Sequence, residues 1–88
     1  MYLHLGQDTV IRDETIIGIF DMDNTTVSKH TRKFLSQAER SGRVTVVSYE
    51  LPKSFVVCAT DTERRVYLSQ LSTATLKKRR KAPIEGEF

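Results

Sequence analysis

The apolar residues of this chain form short, β-branched runs that turn-forming residues interrupt every few positions. The first three runs are Tyr2–Leu5, Thr9–Arg12 and Thr15–Phe20, with Gly6-Gln7-Asp8 and Asp13-Glu14 between them. Runs of this composition that turn residues separate are typical of β-strands. The sequence therefore predicts three strands at its N-terminus, and the chain must fold around a small sheet.

One segment has the periodicity of a helix instead. Five residues recur at the spacing of a single helix face: Val27, Thr31, Phe34, Leu35 and Ala38. The opposite face is basic and carries Lys29, Arg32, Lys33 and Arg40. Thr25 or Thr26 can cap the first turn, and Gly42 follows at the position where glycine commonly ends a helix.

Three more β-rich runs follow, joined by short turns: Arg43–Tyr49, Ser54–Thr60 and Arg64–Leu71. Because such short connections favour antiparallel neighbours, we expect these strands to pair antiparallel. Ser72–Arg80 has the composition of a short helix, which Pro83 should end. The predicted fold class is α+β: a small antiparallel sheet with one packed helix and a short C-terminal helix.

The chain has 88 residues, which is enough for one domain. We place a single domain at residues 1–81 and a flexible C-terminal tail at residues 82–88. A domain of this size buries only about 60–65% of the surface that its unfolded chain exposes. Its core is therefore thin, and self-association that covers its strand edges would stabilise it.

The sequence predicts a cytoplasmic protein with no membrane partner. No apolar run approaches the roughly 18 residues that a spanning helix needs, and we find no pattern of a signal peptide. Cys58 is the single cysteine, so no internal disulfide can form. Its apolar neighbours in Phe55–Ala59 indicate a buried thiol in a reducing compartment.

One short motif resembles a catalytic signature. The apolar run Ile17–Phe20, followed by Asp21, Asp23 and Thr25, is similar to the first motif of the haloacid dehalogenase phosphatases. Phosphoryl transfer also needs cations that offset the phosphate charge, and in that family later strands of a parallel sheet supply a lysine and further acidic residues. The antiparallel strands predicted here offer no such arrangement. We interpret the loop as a helix entry whose carboxylates complement the helix dipole, and we expect a non-enzyme.

Other catalytic and ligand-binding patterns do not occur in the sequence. His4 and His30 lack cysteine partners at zinc-ligand spacing. The glycines are scattered and form no phosphate-binding loop. We therefore expect no metal, no cofactor and no small-molecule substrate.

Positive charge is concentrated near the C-terminus. Residues 1–61 hold seven basic and eight acidic residues, whereas residues 62–88 hold seven basic and three acidic ones. Basic side chains neutralise phosphates and release counterions, which is the sequence-independent part of nucleic-acid affinity. The candidate nucleic-acid contacts are Arg12, Lys53, Arg64, Arg65, Lys77, Lys78, Arg79, Arg80 and Lys81. A solvated basic surface without a partner is the alternative.

The order and spacing of these segments resemble the RemA/RemB family of small bacterial extracellular-matrix regulators. The resemblance runs from about Tyr2 to Leu76 and includes Tyr2–Gly6, Glu14–Phe20, Thr31–Gly42, Val46–Tyr49, Phe55–Cys58 and Val66–Ser69. It implies a DNA-binding transcriptional regulator of biofilm matrix genes. It also implies a fold like that of the LytTR DNA-binding domains, assembled into a closed homo-oligomeric ring.

The chain departs from the RemA branch at positions where that branch carries arginines. These positions hold Thr15, just before the third strand, and Leu51–Ser54, after the tyrosine that matches Tyr49. Lys53 keeps one cation in that turn, and Arg12 lies three residues before Thr15. Two functions remain open. One is a regulator that binds double-stranded DNA, mostly through phosphates. The other is an oligomeric protein-interaction module that modulates a related regulator without binding DNA.

Overall fold

The computed structural model of the protein describes residues 2–22 and 29–86, with side chains through Arg80. The described residues form six strands: β1 (Tyr2–Gly6), β2 (Thr9–Arg12), β3 (Ile16–Asp21), β4 (Val44–Val46), β5 (Ser54–Ala59) and β6 (Arg64–Ser69). They also form two α-helices, α1 (Lys29–Arg40) and α2 (Thr73–Gly86), and a short 3-10 helix at Asp13–Thr15. The predicted α+β class is confirmed.

The strands form two sheets rather than one. β1 and β2 pair as an antiparallel hairpin, and the other four strands lie in the order β3-β5-β6-β4. β5 is antiparallel to both of its neighbours, whereas β4 runs parallel to β6. β5 is buried from Ser54 to Cys58, which confirms the predicted burial of the thiol, and β3 and β4 are the two edges of this sheet.

The prediction for β4 is wrong in both length and pairing. β4 covers Val44–Val46 rather than residues 43–49, and its neighbour is β6 rather than β5. Beyond Val47 the backbone leaves the sheet, because the hydroxyl of Ser48 accepts the N–H of Glu50 at 3.1 Å and offers it an alternative to ladder pairing. The segment 47–53 is long enough to pass the end of β6, so β6 lies between β4 and β5.

α1 covers one face of the four-stranded sheet. Ala38 is fully buried, and Phe34 and Leu35 pack beside it against Phe55 and Val66. The helix ends at Gly42, whose φ of +69° suits glycine. The N–H groups of residues 42 and 43 donate to the carbonyls of residues 39 and 38, so this end is a Schellman motif. The predicted cap at Thr25 or Thr26, and Val27 of the predicted apolar face, lie outside the described residues.

The hairpin and α2 cover the other face of the same sheet. Their shared core contains Leu3, Leu5, Ile11, Val47, Val56, Cys58 and Leu76. Two buried serines join the layers. The hydroxyl of Ser69 donates to the carbonyl of Leu5 at 2.7 Å, and the hydroxyl of Ser54 donates to the carbonyl of Leu71 at 2.8 Å. Residues that are far apart in the chain are thereby fixed to one another at the end of β6.

α2 begins as predicted and ends later. The hydroxyl of Ser72 accepts the N–H of Thr75 at 3.1 Å, which caps the helix start. The helix then continues through Pro83 to Gly86, so the predicted stop at Pro83 is wrong. A proline inside a helix removes one N–H donor and crowds the carbonyl four residues earlier, which weakens the helix at that point, but here the helix continues past it. Within the described part of the chain, neither helix is long and apolar enough to cross a bilayer.

Candidate nucleic-acid interface

The predicted cationic residues do not gather in one place on a single chain. Lys53 lies at one end of the four-stranded sheet, where its N–H donates to the carbonyl of Ser69 at 2.8 Å. Arg64 and Arg65 lie at the opposite end of β6, where Arg64 pairs with Ala59. Lys53 is also not at a hairpin tip, because β4 and β5 do not pair. These cations can therefore act together only if several copies of the chain bring their ends close.

Arg65 is engaged with the protein itself. Its Nε donates to Glu63 at 2.8 Å and its Nη1 donates to Thr45 Oγ1 at 3.0 Å. The hydrogen bond that Arg65 donates to Glu63 is the main reason that the pKa of Arg65 is raised above its ordinary value. A guanidinium held in this way is a weaker candidate for phosphate binding, because its charge is already compensated.

Arg12 and Arg80 meet at the 3-10 helix. Arg12 Nη2 donates to Glu14 at 2.8 Å, and Arg80 Nε forms an ion pair with Asp13. The pKa of Glu14 is lowered by its backbone hydrogen bond and by Arg12. Arg79 lies close by and donates to the carbonyl of His4 at 3.4 Å. The structure thus brings one predicted residue of β2 together with two of α2, but two of these three arginines already have carboxylate partners.

The other predicted cations have exposed side chains and no carboxylate partner within the described part of the chain. These are Lys53, Arg64, Lys77 and Lys78. Lys77 and Lys78 are consecutive residues on α2, which packs against β1 and β3. Lys81 follows on the same helix, although its side chain lies outside the described atoms.

A second basic surface was not among the predicted contacts. The outer face of α1 exposes Lys29, Arg32, Lys33 and Arg40, as its periodicity predicts. Arg40 and Arg43 line one shallow depression after the end of the helix. Arg43 Nη1 then donates to the carbonyl of Arg64 at 3.3 Å. Arg43 therefore connects the basic face of α1 with Arg64, and the only sequence signal for this was an arginine directly after the helix-ending glycine.

An apolar groove lies between α1 and the β3 edge. Its volume is about 290 Å³, and Ile17, Phe20, Phe34 and Val57 are among the residues that line it. The rings of Phe20 and Phe55 stack with their centroids 5.1 Å apart. A Cβ at Gly18 would lie only 2.5 Å from the ring of Phe20, so glycine allows this ring to lie over the strand. Arg64 and His30 also line the groove.

An exposed apolar loop lies beyond β4. Tyr49 is fully exposed and Leu51 is 86% exposed. Val46, at the end of β4, is exposed as well. The sequence predicted that Tyr49 ends a strand and that Leu51 lies in the turn after it, but gave no sign that both side chains would be left in solvent. Together the loop and the groove supply apolar surface that the described residues do not cover.

The structure describes little of the loop that resembles a phosphatase motif. Asp21 ends β3, whereas Asp23 and Thr25 lie outside the described residues. Within the described part of the chain, no group of three or more histidine, cysteine or acidic residues is placed to hold a metal ion. His4 contacts the carbonyl of Gln7 at 2.6 Å, and His30 lines the groove.

Comparisons with known proteins identify relatives over nearly the whole chain. The RemA-like family, described as extracellular matrix regulatory protein A-like, matches residues 2–79. Extracellular matrix regulatory protein B of Bacillus subtilis (strain 168) is 39% identical over 79 residues, which are 90% of this chain and 89% of that protein. The resemblance that the sequence suggested is confirmed over the same region.

Proposed function

The chain belongs to the RemA-like family of extracellular matrix regulatory proteins, and from this premise we propose that it regulates extracellular-matrix genes by binding double-stranded DNA. In this proposal the protein acts in the cytoplasm as a ring-shaped homo-oligomer. It has no catalytic role and needs no cofactor.

The DNA-binding part of the proposal is supported by the positions of the basic side chains that have no carboxylate partner among the described residues. Among the basic side chains that the structure describes, only Arg12, Arg65 and Arg80 are paired with a carboxylate. The remaining cations face solvent mainly on α2 and on the outer face of α1, next to Arg43. Positive side chains in these positions can replace the counterions of a phosphate backbone without first breaking an ion pair.

Contacts of this kind position a protein on DNA but carry no direct sequence information. Each chain offers only a few of them. A ring would repeat them around its circumference, and the effective concentration of neighbouring sites would turn several weak contacts into useful affinity. We therefore expect binding that depends steeply on salt and varies little between arbitrary duplexes.

An electrophoretic titration with an arbitrary duplex at two salt concentrations tests this function. Substitution of Lys77 and Lys78 by alanine should weaken binding and flatten the plot of log affinity against log salt. The slope should change by about 0.9 for each phosphate contact that is lost. Substitution is preferable to truncation before Lys77, because removing the rest of α2 would disturb the packing of the buried Leu76.

A matched control is the double substitution Ser36→Ala with Gln37→Ala, at two exposed neutral residues of α1. It removes no charge, so the slope should stay close to that of the wild type. An unaltered slope in the Lys77→Ala, Lys78→Ala protein would contradict the role of α2. Absence of binding by the wild type at low salt would instead favour the interaction module, which the exposed Tyr49 and Leu51 also support.

A further inference from the structure

The exposed apolar loop and the apolar groove are both largely apolar and carry charges of opposite sign. The loop presents Tyr49 and Leu51 on either side of Glu50, and all three residues are exposed. The groove has an apolar lining that includes Phe20 and Phe34, and the basic Arg64 is part of the same surface. One surface is therefore apolar with an acidic centre, and the other is apolar with a basic component.

The loop is held in place before it binds anything. Val47 N–H donates to the carbonyl of Leu68 at 3.0 Å, and Lys53 N–H donates to the carbonyl of Ser69 at 2.8 Å. Between these anchors, Ser48 Oγ accepts the N–H of Glu50 at 3.1 Å. Because the backbone is fixed on both sides, docking would cost little conformational entropy. Large apolar side chains fixed in solvent gain stability when another surface covers them.

The groove has room for a side chain from this loop. An apolar cavity of roughly 150 Å³ is enough to hold a benzene-sized molecule, and the groove measures about 290 Å³. Part of its lining is itself exposed, since Ile17 is 56% exposed. A tyrosine ring that entered the groove would cover Ile17 and meet the stacked pair of Phe20 and Phe55.

The charges of the two surfaces favour the same contact. Arg64 has no carboxylate partner within the described residues, and Glu50 lies between the two apolar side chains of the loop. An acidic residue that meets a basic one across an interface fixes the register of the contact and disfavours other partners.

The positions of the two surfaces make the contact intermolecular. The loop is attached at the end of β6, through Leu68 and Ser69, whereas Arg64 opens the same strand. Five residue steps along a strand separate these ends by about 17 Å. Both anchors of the loop thus lie at the end of β6 that is opposite to Arg64, whereas a second copy can present its own Arg64 to the loop.

We propose that Tyr49, Glu50 and Leu51 of one copy dock into the groove between α1 and β3 of the next copy, with Glu50 facing Arg64. The proposal rests on the proposed homo-oligomer and names the contact that builds it. Because each copy contributes a different surface, the contact is head-to-tail. Such a contact generates a ring when the rotation between copies closes.

Size-exclusion chromatography with light scattering at micromolar concentration tests the contact. A loop variant carries Tyr49→Ser and Leu51→Ser, and a groove variant carries Ile17→Glu, which places a carboxylate where Glu50 should approach. All three positions are exposed, so circular dichroism should show that both variants fold. Each variant should have the mass of one chain, 10.1 kDa, whereas the wild type and a Val10→Ser control on the exposed hairpin surface should form larger particles.

Mixing the two variants separates this contact from other modes of assembly. The loop variant keeps an intact groove, and the groove variant keeps an intact loop. In an equimolar mixture, the intact loop of the groove variant should dock into the intact groove of the loop variant and give particles of two chains. Nothing larger should form, because the loop and the groove left over in such a pair both carry the substitutions. As an independent check, Glu50→Arg and Arg64→Glu should each weaken assembly, and the two substitutions in one chain should restore it.

The outcomes distinguish this inference from the proposed function. If the wild type has the mass of a single chain, the homo-oligomer and the docking contact are both wrong. If the wild type assembles but either variant assembles as well as it does, the docking contact alone is wrong. Failure of the mixed variants to pair would likewise contradict the head-to-tail arrangement.

Discussion

The two faces of the four-stranded sheet are covered to different extents. On the face of the hairpin and α2, Leu3, Leu5, Val56 and Leu76 are almost completely buried. On the face of α1, Ala38, Phe55, Val57 and Val66 are buried, but Phe34 and Leu35 of the helix are only half-buried, and a groove lies next to β3. Apolar burial stabilises a fold in proportion to the area removed from water. The hairpin face therefore contributes most to stability, while the α1 face keeps apolar and basic surface available for partners.

The two faces should differ most in how much free energy of unfolding is lost when one large apolar side chain is removed. Leu5→Ala should lower the free energy of unfolding by about 3 kcal/mol, because Leu5 is completely buried and alanine leaves a cavity. Phe34→Ala, on the half-buried face of α1, should cost about half as much although it removes more atoms. Urea unfolding of both variants measures the comparison. An equal or larger loss for Phe34→Ala would show that α1 contributes as much to stability as the hairpin does.

The features of the two faces that depend on the local sequence pattern could be predicted. The apolar run at Phe55–Ala59 predicted that the thiol of Cys58 is buried, and the spacing of Phe34, Leu35 and Ala38 predicted the inner face of α1. The pairing of β4 was not predictable, because strand periodicity does not identify the neighbour of a strand. The separate hairpin was equally hidden, since its position depends on contacts such as that of Ser69 with Leu5, far away in the chain.

The second prediction concerns the polar contact that fixes the hairpin to the sheet. Ser69 is fully buried; its hydroxyl donates to the carbonyl of Leu5 at 2.7 Å and accepts the N–H of Leu71 at 3.0 Å. Ser69→Ala would leave a buried carbonyl and a backbone N–H without this partner, so we expect a loss of about 1–3 kcal/mol. Ser36→Ala, on the exposed surface of α1, is the matched control and should change stability by less than about 0.5 kcal/mol. Thermal or urea unfolding distinguishes the two, and similar small losses for both would show that the hairpin is fixed by apolar packing alone.

The candidate interface was less predictable than the fold. Its residues were chosen by charge, but a sequence does not show which cations are already paired. Arg65 with Glu63, only two positions away, could have been suspected, whereas Arg80 with Asp13 required the packing of α2 beside the 3-10 helix. The exposure of Tyr49 and Leu51 could not be predicted from the sequence for a related reason. A turn was expected after Tyr49, but which side chains of this segment point into solvent depends on how the loop passes the end of β6.

The smallest predicted effect is the pH dependence of stability that Cys58 causes, which tests whether water reaches the core on the hairpin face. Cys58 faces that core and is almost fully buried, and burial raises the pKa of its thiol, partly offset by a hydrogen bond from Thr15. Above the ordinary thiol pKa, near 9, the unfolded chain loses this proton while the folded chain keeps it. Stability should therefore fall as pH rises through this range, by no more than about 1.4 kcal/mol per pH unit for one proton.

Tyr67 also has a raised pKa through burial and would act in the same direction at higher pH, so the pH dependence of the wild type must be compared with that of a Cys58 variant. Cys58→Ala is less stable at every pH because it loses the sulfur, but its stability should decline less between pH 7.5 and 9.5. If the two pH dependences run parallel in urea unfolding, water reaches the thiol and the hairpin face is more open than its burial indicates.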